Sequence, residues 1–491
     1  RLDYPDPDVI RVEDTYYMVS TTMHFMPGCE ILQSFDLVHW EHVTYVYETL
    51  DHTDAQQLKS GQNIYGQGMW AASLRYHEGR FYICFVANDT RKTYLYTSEK
   101  IDGPWKKQLI EGFYHDGSLL FDEDGRNYIV YGNDEIWITE LNEDLTAPKK
   151  DGLHRLLVSD HKNPELGYEG SHIQKINGYY YIFLVHSLRD RWMRTEACFY
   201  SDSLEGEFTG GDVLCDDRGY CGQGVAQGGI VDTPDGKWYA MLFQDSGAVG
   251  RIPILLPVTW KDHFPVFGQN GHVPEEIEVH STRPGYIYQP LVGSDDFCNG
   301  LLPRWQFNHD PDPRYYHLDA LQGTYTITTR EVCTELTQAV NTLTQRMSYP
   351  SCAAEVTVDA SALKEGDVAG LCALQGCYAA VGITKHHGKY EVLMLDKKED
   401  GILDMTEGTV VESHQMDFRL EADFCNMKDE ARCYYRVNKG DWLPIGTVHK
   451  LYFKLDHFTG CRFGLFCYAA EKTGGSACFR DFKYYDVDEI S

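Results

Sequence analysis

Residues 167–181 read GYEGSHIQKINGYYY: a carboxylate, Glu169, between two glycines, then a short apolar segment, an Asn-Gly turn and a tyrosine run. The Asn-Gly pair followed by aromatic residues is a hairpin signal. The same arrangement recurs four more times. The turn-and-strand stretches are EDTYYMVSTT (13–22), EGRFYICFVAND (78–89), DGRNYIVYGND (124–134), NGYYYIFLVHS (177–187) and DGKWYAMLFQD (235–245). Each is preceded by a segment of small or apolar residues: PDPDVIRV, GMWAASLRY, YHDGSLLFD, GYEGSHIQK and GVAQGGIVD.

The spacing is nearly constant. Asp6 precedes Tyr16 by 10 positions and Glu169 precedes Tyr179 by 10, whereas Trp70, Asp116 and Gln227 precede Phe81, Asn127 and Trp238 by 11. Five such units point to a five-bladed β-propeller, in which the innermost strand of every blade starts at the rim of one channel. Asp6, Trp70, Asp116, Glu169 and Gln227 are therefore expected to ring one pocket. A series of open sandwiches is the rival architecture, but it would leave an edge to protect in every unit.

Beyond the fifth unit, residues 269–295 carry prolines and glycines with little periodicity and read as a linker strapped along a domain. From Asp296 the pattern becomes antiparallel strands joined by Gly and Asp turns, as in a β-sandwich of jelly-roll, concanavalin-like type. The expected organisation is all-β: a propeller over 1–268, the linker, and a sandwich over 296–491. Only TELTQAVNTLTQR (334–346) suggests a helical period.

The 491 residues carry 44 Lys and Arg against 74 Asp and Glu, a formal net charge of −30. Such a surface repels phosphate backbones and anionic lipid, so neither nucleic acid nor membrane is an expected partner. Aromatic residues make up 13% of the chain, which suits β structure and stacking on sugar rings. Fifteen cysteines without a CxxC pair read as reduced thiols in a reducing compartment, and no signal peptide is evident, so the expected location is cytoplasmic.

Three carboxylates around an aromatic channel suit the cleavage of an acetal: one protonates the leaving oxygen and a second acts on the opposite face of the ring. Grouped carboxylates cannot all ionise easily, so a third can keep the acid protonated. Asp8 rivals Asp6, because positions two apart on a strand face the same side.

At these residues the chain resembles glycoside hydrolase family 43, through PDPDVIRVEDTYYMVSTT, MHFMPGCEILQSFDLVHW, GMWAASL, HDGSLLFDEDG, YEGSHIQKINGYYY and GRIPILLPVTW. The C-terminal DFCNGLLPRWQFNHDPD and GLFCYAAEKTGGSACFRDF resemble the sandwich of its two-domain β-xylosidase branch. The resemblance implies Asp6 as general base, Glu169 as general acid and Asp116 as the residue that tunes and orients the acid. It implies inversion of configuration, with the acid and base carboxyls roughly 6.5–9.5 Å apart.

It further implies substrate contacts from Trp70, Arg251, Phe25, His24 and Gln227, and a sandwich loop reaching the pocket mouth. Relatives often hold a channel ion, commonly calcium, through a histidine; here the corresponding positions offer Gln227 and Ser246. The acid–base chemistry needs no cofactor, and calcium in the channel is left open. The expected substrate is a xylo-oligosaccharide or an arabinose-decorated oligosaccharide, and a homo-oligomer is left open. Outside this class, a sugar-binding propeller without catalysis is the alternative; a WD-type interaction propeller lacks its blade endings.

Overall fold

The structure is a computed structural model and describes residues 1–486. Five four-stranded antiparallel sheets follow one another, each built from strands in chain order, the first skipping Phe25–Met26. Their innermost strands are Asp8–Val12 (blade I), Met69–His77 (II), Ser118–Phe121 (III), Glu169–Ile176 (IV) and Ala226–Asp232 (V). These five strands contact one another around a ring.

The blades are continuous in apolar residues because both faces are covered. Tyr179–Ser187, YYYIFLVHS, is buried along nearly its whole length, as a strand packed between two neighbours must be. The propeller accordingly has a separate core in each gap between blades. Leu74 packs with Ile31 and Phe85, Leu119 with Cys84 and Ile129, Ile173 with Tyr128 and Ile182, Ile230 with Phe183 and Leu242, and Val231 with Met18 and Met241.

No strand is exchanged between the first and last blades, so other contacts close the ring. Arg11 of blade I donates to Asp232 of blade V (2.5 Å), and Tyr4 N–H donates to the Arg251 carbonyl (3.1 Å). The segment after blade V straps the seam. Tyr239 of blade V donates to the Glu278 carbonyl (2.7 Å), Thr282 donates to the Asp14 carbonyl (2.6 Å), and Gln289 N–H donates to Glu41 (2.9 Å).

The C-terminal unit is a concanavalin-like sandwich. One sheet has seven strands and the other nine, with Trp305, Val356, Leu371, Phe418, Leu465 and Phe479 in the core between them. The edge of the larger sheet is borrowed from the propeller: Phe25–Met26 of blade I pairs with Phe307 and Asn308. That shared strand welds the two domains.

The helical period at 334–346 does not produce a helix. Leu336–Gln338 makes a single 3₁₀ turn, Asn341 takes a left-handed backbone (φ 63°), and Leu343–Arg346 is a strand between Gln306–Phe307 and Arg462–Leu465. Two waiting strand partners override a weak local pattern.

Candidate active site

A belt of hydrogen bonds sets the register of the innermost strands. Asp8 accepts from Leu74 N–H (2.7 Å), Ser73 from Leu119 N–H (3.1 Å) and Ser118 from Ile173 N–H (3.0 Å). Blades I, II and III thus each grip the next at an equivalent position. Two residues upstream of that belt stand Asp6, Asp116, Gly170 and Gln227, all with left-handed backbone (φ 52°, 47°, 66° and 66°). Three of the four are not glycine, and such strain collects at functional sites.

This belt corrects the register expected from spacing alone. Glu169 and Trp70 lie one residue earlier than Asp6 and Asp116. The hairpins account for the difference: Asp8 pairs with Val19, Ser73 with Cys84 and His172 with Phe183, 11 positions on, whereas Ser118 pairs with Val130 and Gly229 with Met241, 12 positions on.

The belt also separates Asp8 from Asp6. Asp8 is fully committed to structure: Arg75 Nη1 lies 2.9 Å from Oδ2 and His172 Nδ1 lies 3.1 Å from Oδ1. Burial alone would raise its pKa, but Arg75 and His172 hold the carboxyl below its ordinary range. Asp6 instead sits at the rim, where Oδ2 accepts from Thr21 Oγ1 (2.5 Å) and Oδ1 from Arg251 Nη1 (3.2 Å).

Arg251 is 2% exposed. Its backbone N–H is fixed by Asp3 (2.8 Å) and its guanidinium lies 4.2 Å from the centroid of Phe458. Phe458 comes from the sandwich, in the turn closed by its N–H to the Lys454 carbonyl and by Gly460 N–H to Asp3 (both 2.8 Å). It also packs against Trp70, centroid to centroid 5.6 Å. The sandwich loop therefore walls the rim beside Asp6 and Trp70. The indole N–H of Trp70 and the Nε–H of Arg251 are buried donors without a partner among the described residues.

Across the rim, Glu169, Asp116 and His115 form one cluster. His115 Nε2 lies 3.3 Å from Glu169 Oε2 and 3.4 Å from Asp116 Oδ2. Asn133 Nδ2 donates to the same Glu169 oxygen (2.8 Å), and Gly170 N–H donates to Asp116 (2.9 Å). Burial pushes Asp116 up to about 6, with the charges of Glu169 and Asp6 adding and His115 opposing. Burial pulls the imidazole down, but Asp116 and Glu169, with Asp6 beyond, outweigh it and raise His115 to about 9. At neutral pH His115 is an imidazolium between two carboxyls.

Arg194 completes the charge pattern. It pairs with Asp245, and burial lowers it to about 10, with Arg251 adding and Glu169 and Asp6 opposing. Its Nε is a further buried donor without a partner among the described residues. His115, Arg194 and Phe458 were not singled out from sequence. Only His115 had a visible signal, its place beside Asp116 in HDGSLL.

Phe25 and His24 lie in the interdomain seam, not along the sugar channel. Phe25 is strand-paired to the sandwich and carries the Arg462 guanidinium 3.4 Å over its ring centroid. His24 is fully buried among Phe25, Tyr65 and His309. The borrowed edge strand draws this stretch toward the sandwich and leaves Met23 at the rim, its backbone bridging Met69.

Gln227 donates its backbone N–H to Glu196 (2.7 Å), and a Cβ at Gly170 would lie only 2.7 Å from its Cγ. Its side chain therefore lies against the residue after Glu169.

Gln227 and Ser246 by themselves do not make a calcium cage. Ser246 Oγ is turned to the Gln244 carbonyl (3.3 Å), and two neutral side-chain oxygens fall well short of the six to eight oxygen ligands calcium takes. Arg75 already spans the channel, bonding Asp8, the Leu119 carbonyl, Ser118 and the Ile173 carbonyl. His115, Asp116 and Glu169 have metal-like spacing, their ligand atoms lying within 4.8 Å.

A cavity of about 450 Å³ opens at the opposite mouth, beside Trp238 and Phe121. Its charged groups are largely paired among themselves, Arg11 with Asp232 and Lys175 with Glu123. The clustered carboxyls lie at the other mouth, around Asp6, Asp116 and Glu169.

Residues 1–265 match the family described as glycosyl hydrolases family 43, and residues 294–485 match the β-xylosidase C-terminal concanavalin A-like domain. The chain is 26% identical to a β-xylosidase of Formosa agariphila, over 99% of this chain and 88% of that protein. It is 23% identical to a xylosidase/arabinosidase of Butyrivibrio fibrisolvens, over 99% and 98%. Among solved structures, a bifunctional GH43-CE protein of Bacteroides eggerthii superposes with a TM-score of 0.92 at 42% identity, over all of this chain; the chain spans 63% of that protein.

Proposed function

The chain belongs to glycosyl hydrolase family 43, and we propose that it is an exo-acting, inverting glycosidase releasing β-D-xylose from the non-reducing ends of xylo-oligosaccharides. The observation that carries this reading is the pair of opposed carboxyl sites on one rim. Asp6 accepts from Thr21 and Arg251, while Glu169 is grouped with Asp116, His115 and Asn133.

In the proposed reaction Asp6 takes a proton from water as the water oxygen attacks the anomeric carbon. Glu169 gives its proton to the leaving oxygen as the glycosidic bond breaks. Asp116, buried beside Glu169 and bonded to the Gly170 N–H, orients the donor. The unpartnered donors of Trp70, Arg251 and Arg194 suit sugar hydroxyls. Phe458 narrows the mouth, which supports action on chain ends.

Release of α-L-arabinofuranose is the second reading. The xylosidase/arabinosidase similarity supports it, and the two sugars present similar hydroxyl arrangements. All fifteen cysteines are free thiols, most of them buried, which supports a reducing compartment, the cytoplasm, as the place of action.

The test is initial rates on aryl β-D-xylopyranoside and aryl α-L-arabinofuranoside, with and without chelator, and the anomer first released read by proton NMR. A dominant xyloside rate with α-xylose as first product is expected. A dominant arabinofuranoside rate selects the second reading. A rate abolished by chelator and restored by calcium would overturn the metal-free chemistry, and no rate on either would overturn both readings.

A further inference from the structure

Glu169 Oε2 receives two donors: Asn133 Nδ2 at 2.8 Å and His115 Nε2 at 3.3 Å. A protonated carboxyl has one oxygen that only accepts and one that carries the hydrogen. Two donors converging on Oε2 mark it as the accepting oxygen. We infer that His115 is the positioning residue of the proton donor: with Asn133 it holds Oε2 as acceptor, so that the acidic proton of Glu169 resides on Oε1. This rests on Glu169 being the general acid.

The imidazole is itself held in place. Its ring packs edge-on against Trp70 at 5.9 Å between centroids, so the wall of the sugar site and the donor's anchor are one assembly. The charged groups facing it are Asp116 beside it in the chain, Glu169 from blade IV and Asp6 from blade I. Glu169 in turn feels Arg194.

Two effects of His115 on the donor follow, and they are separable. Its N–H fixes which oxygen carries the proton. Its positive charge favours the ionised form of the neighbouring carboxyl. Losing that charge should therefore move the alkaline limb of the reaction.

The experiment compares His115→Gln and His115→Phe with the wild-type enzyme and with Glu169→Ala. The substrates are a series of aryl glycosides from 2,4-dinitrophenyl to phenyl, on the glycone the enzyme turns over. Glutamine keeps a neutral donor near the Nε2 position; phenylalanine keeps neither donor nor charge.

Both His115 variants are expected to shift the alkaline limb of kcat/KM upward by about one pH unit. Only His115→Phe should lose activity selectively on the phenyl glycoside, about ten-fold, with the dinitrophenyl rate nearly unchanged because that leaving group needs no proton. An alkaline limb at the wild-type position in both variants, or moved downward, overturns the inference. So does an equal loss across the whole series, the mark of a merely structural role.

Glu169→Ala separates the two levels. If it retains the phenyl glycoside rate, the general-acid reading has failed. If it loses that rate while both His115 variants behave as wild type, only the inference has failed.

Discussion

Two histidine environments lie on either side of the sandwich loop, and they answer burial in opposite ways. At the rim, His115 is largely buried but faces three carboxyls, and they raise it to about 9. In the seam between the domains, His24, His309 and His457 are buried against one another and against Tyr65. Burial lowers His24 and His309 well below the ordinary value, and takes His457 down to about 4. Tyr65 stacks on the His457 ring at 3.9 Å, and His309 accepts from Ile64 N–H at 2.9 Å. The seam uses imidazole as a flat neutral ring, whereas the rim uses it as a cation. Burial by itself does not set the charge; the partners buried with it do.

The comparison can be broken most severely at the rim. Glu169→Ala should lower kcat on phenyl glycosides by about 10³-fold, within the range for a lost general acid, with the thermal unfolding midpoint nearly unchanged. Equal losses in rate and midpoint would mean that Glu169 holds structure instead.

Asp8→Ala should do the reverse of an Asp6 substitution. It leaves Arg75 as an uncompensated charge in the channel and should cost about 3–5 kcal/mol in urea unfolding, whereas Asp6→Asn, which keeps an oxygen acceptor for Arg251, should cost activity with less stability. Similar unfolding curves for the two variants would contradict the division of labour between them.

A smaller effect concerns pH. The seam histidines are neutral in the fold, so the unfolded chain binds more protons between the ordinary histidine value near 6.5 and about 4. Stability should therefore fall as pH drops through that window. His457→Phe should flatten the fall by up to about 3 kcal/mol, seen in urea midpoints from pH 7 to pH 4. For His115 the sign is opposite: its raised value contributes stability below pH 6.5 that is lost as pH rises through about 9. His115→Gln should flatten that alkaline loss.

The smallest change is expected where the two regions meet. Phe458→Ala should raise KM about ten-fold, equivalent to about 1.4 kcal/mol, by removing the wall between Trp70 and Arg251. An unchanged KM would separate the sandwich loop from substrate binding.

Much of this architecture was legible because a propeller repeats its hydrophobic pattern in every blade, so five weak hairpin signals reinforce one another. The sandwich was legible from strand alternation alone. The site was legible in part. Asp6, Asp116 and Glu169 fall near one register, but that register was off by one at Glu169 and Trp70, since the hairpins differ by one residue in length from blade to blade. His24 and Phe25 were placed at the sugar because nothing local announces that Phe25–Met26 pairs with a strand some 280 residues away. Arg194 and Phe458 reach the rim from segments without a motif.

By itself, then, the chain's order of residues determined the repeat, the all-β class and which carboxyls stand at the mouths of the blades, because these depend on short-range periodicity. Tertiary structure alone decided that Asp8 is committed to structure, since that turns on Arg75 and His172 arriving from blades II and IV. It also decided that one buried histidine is charged and three are neutral. Charge in a buried site is set by neighbours within a few ångströms, and those neighbours come together only when the ring of blades closes.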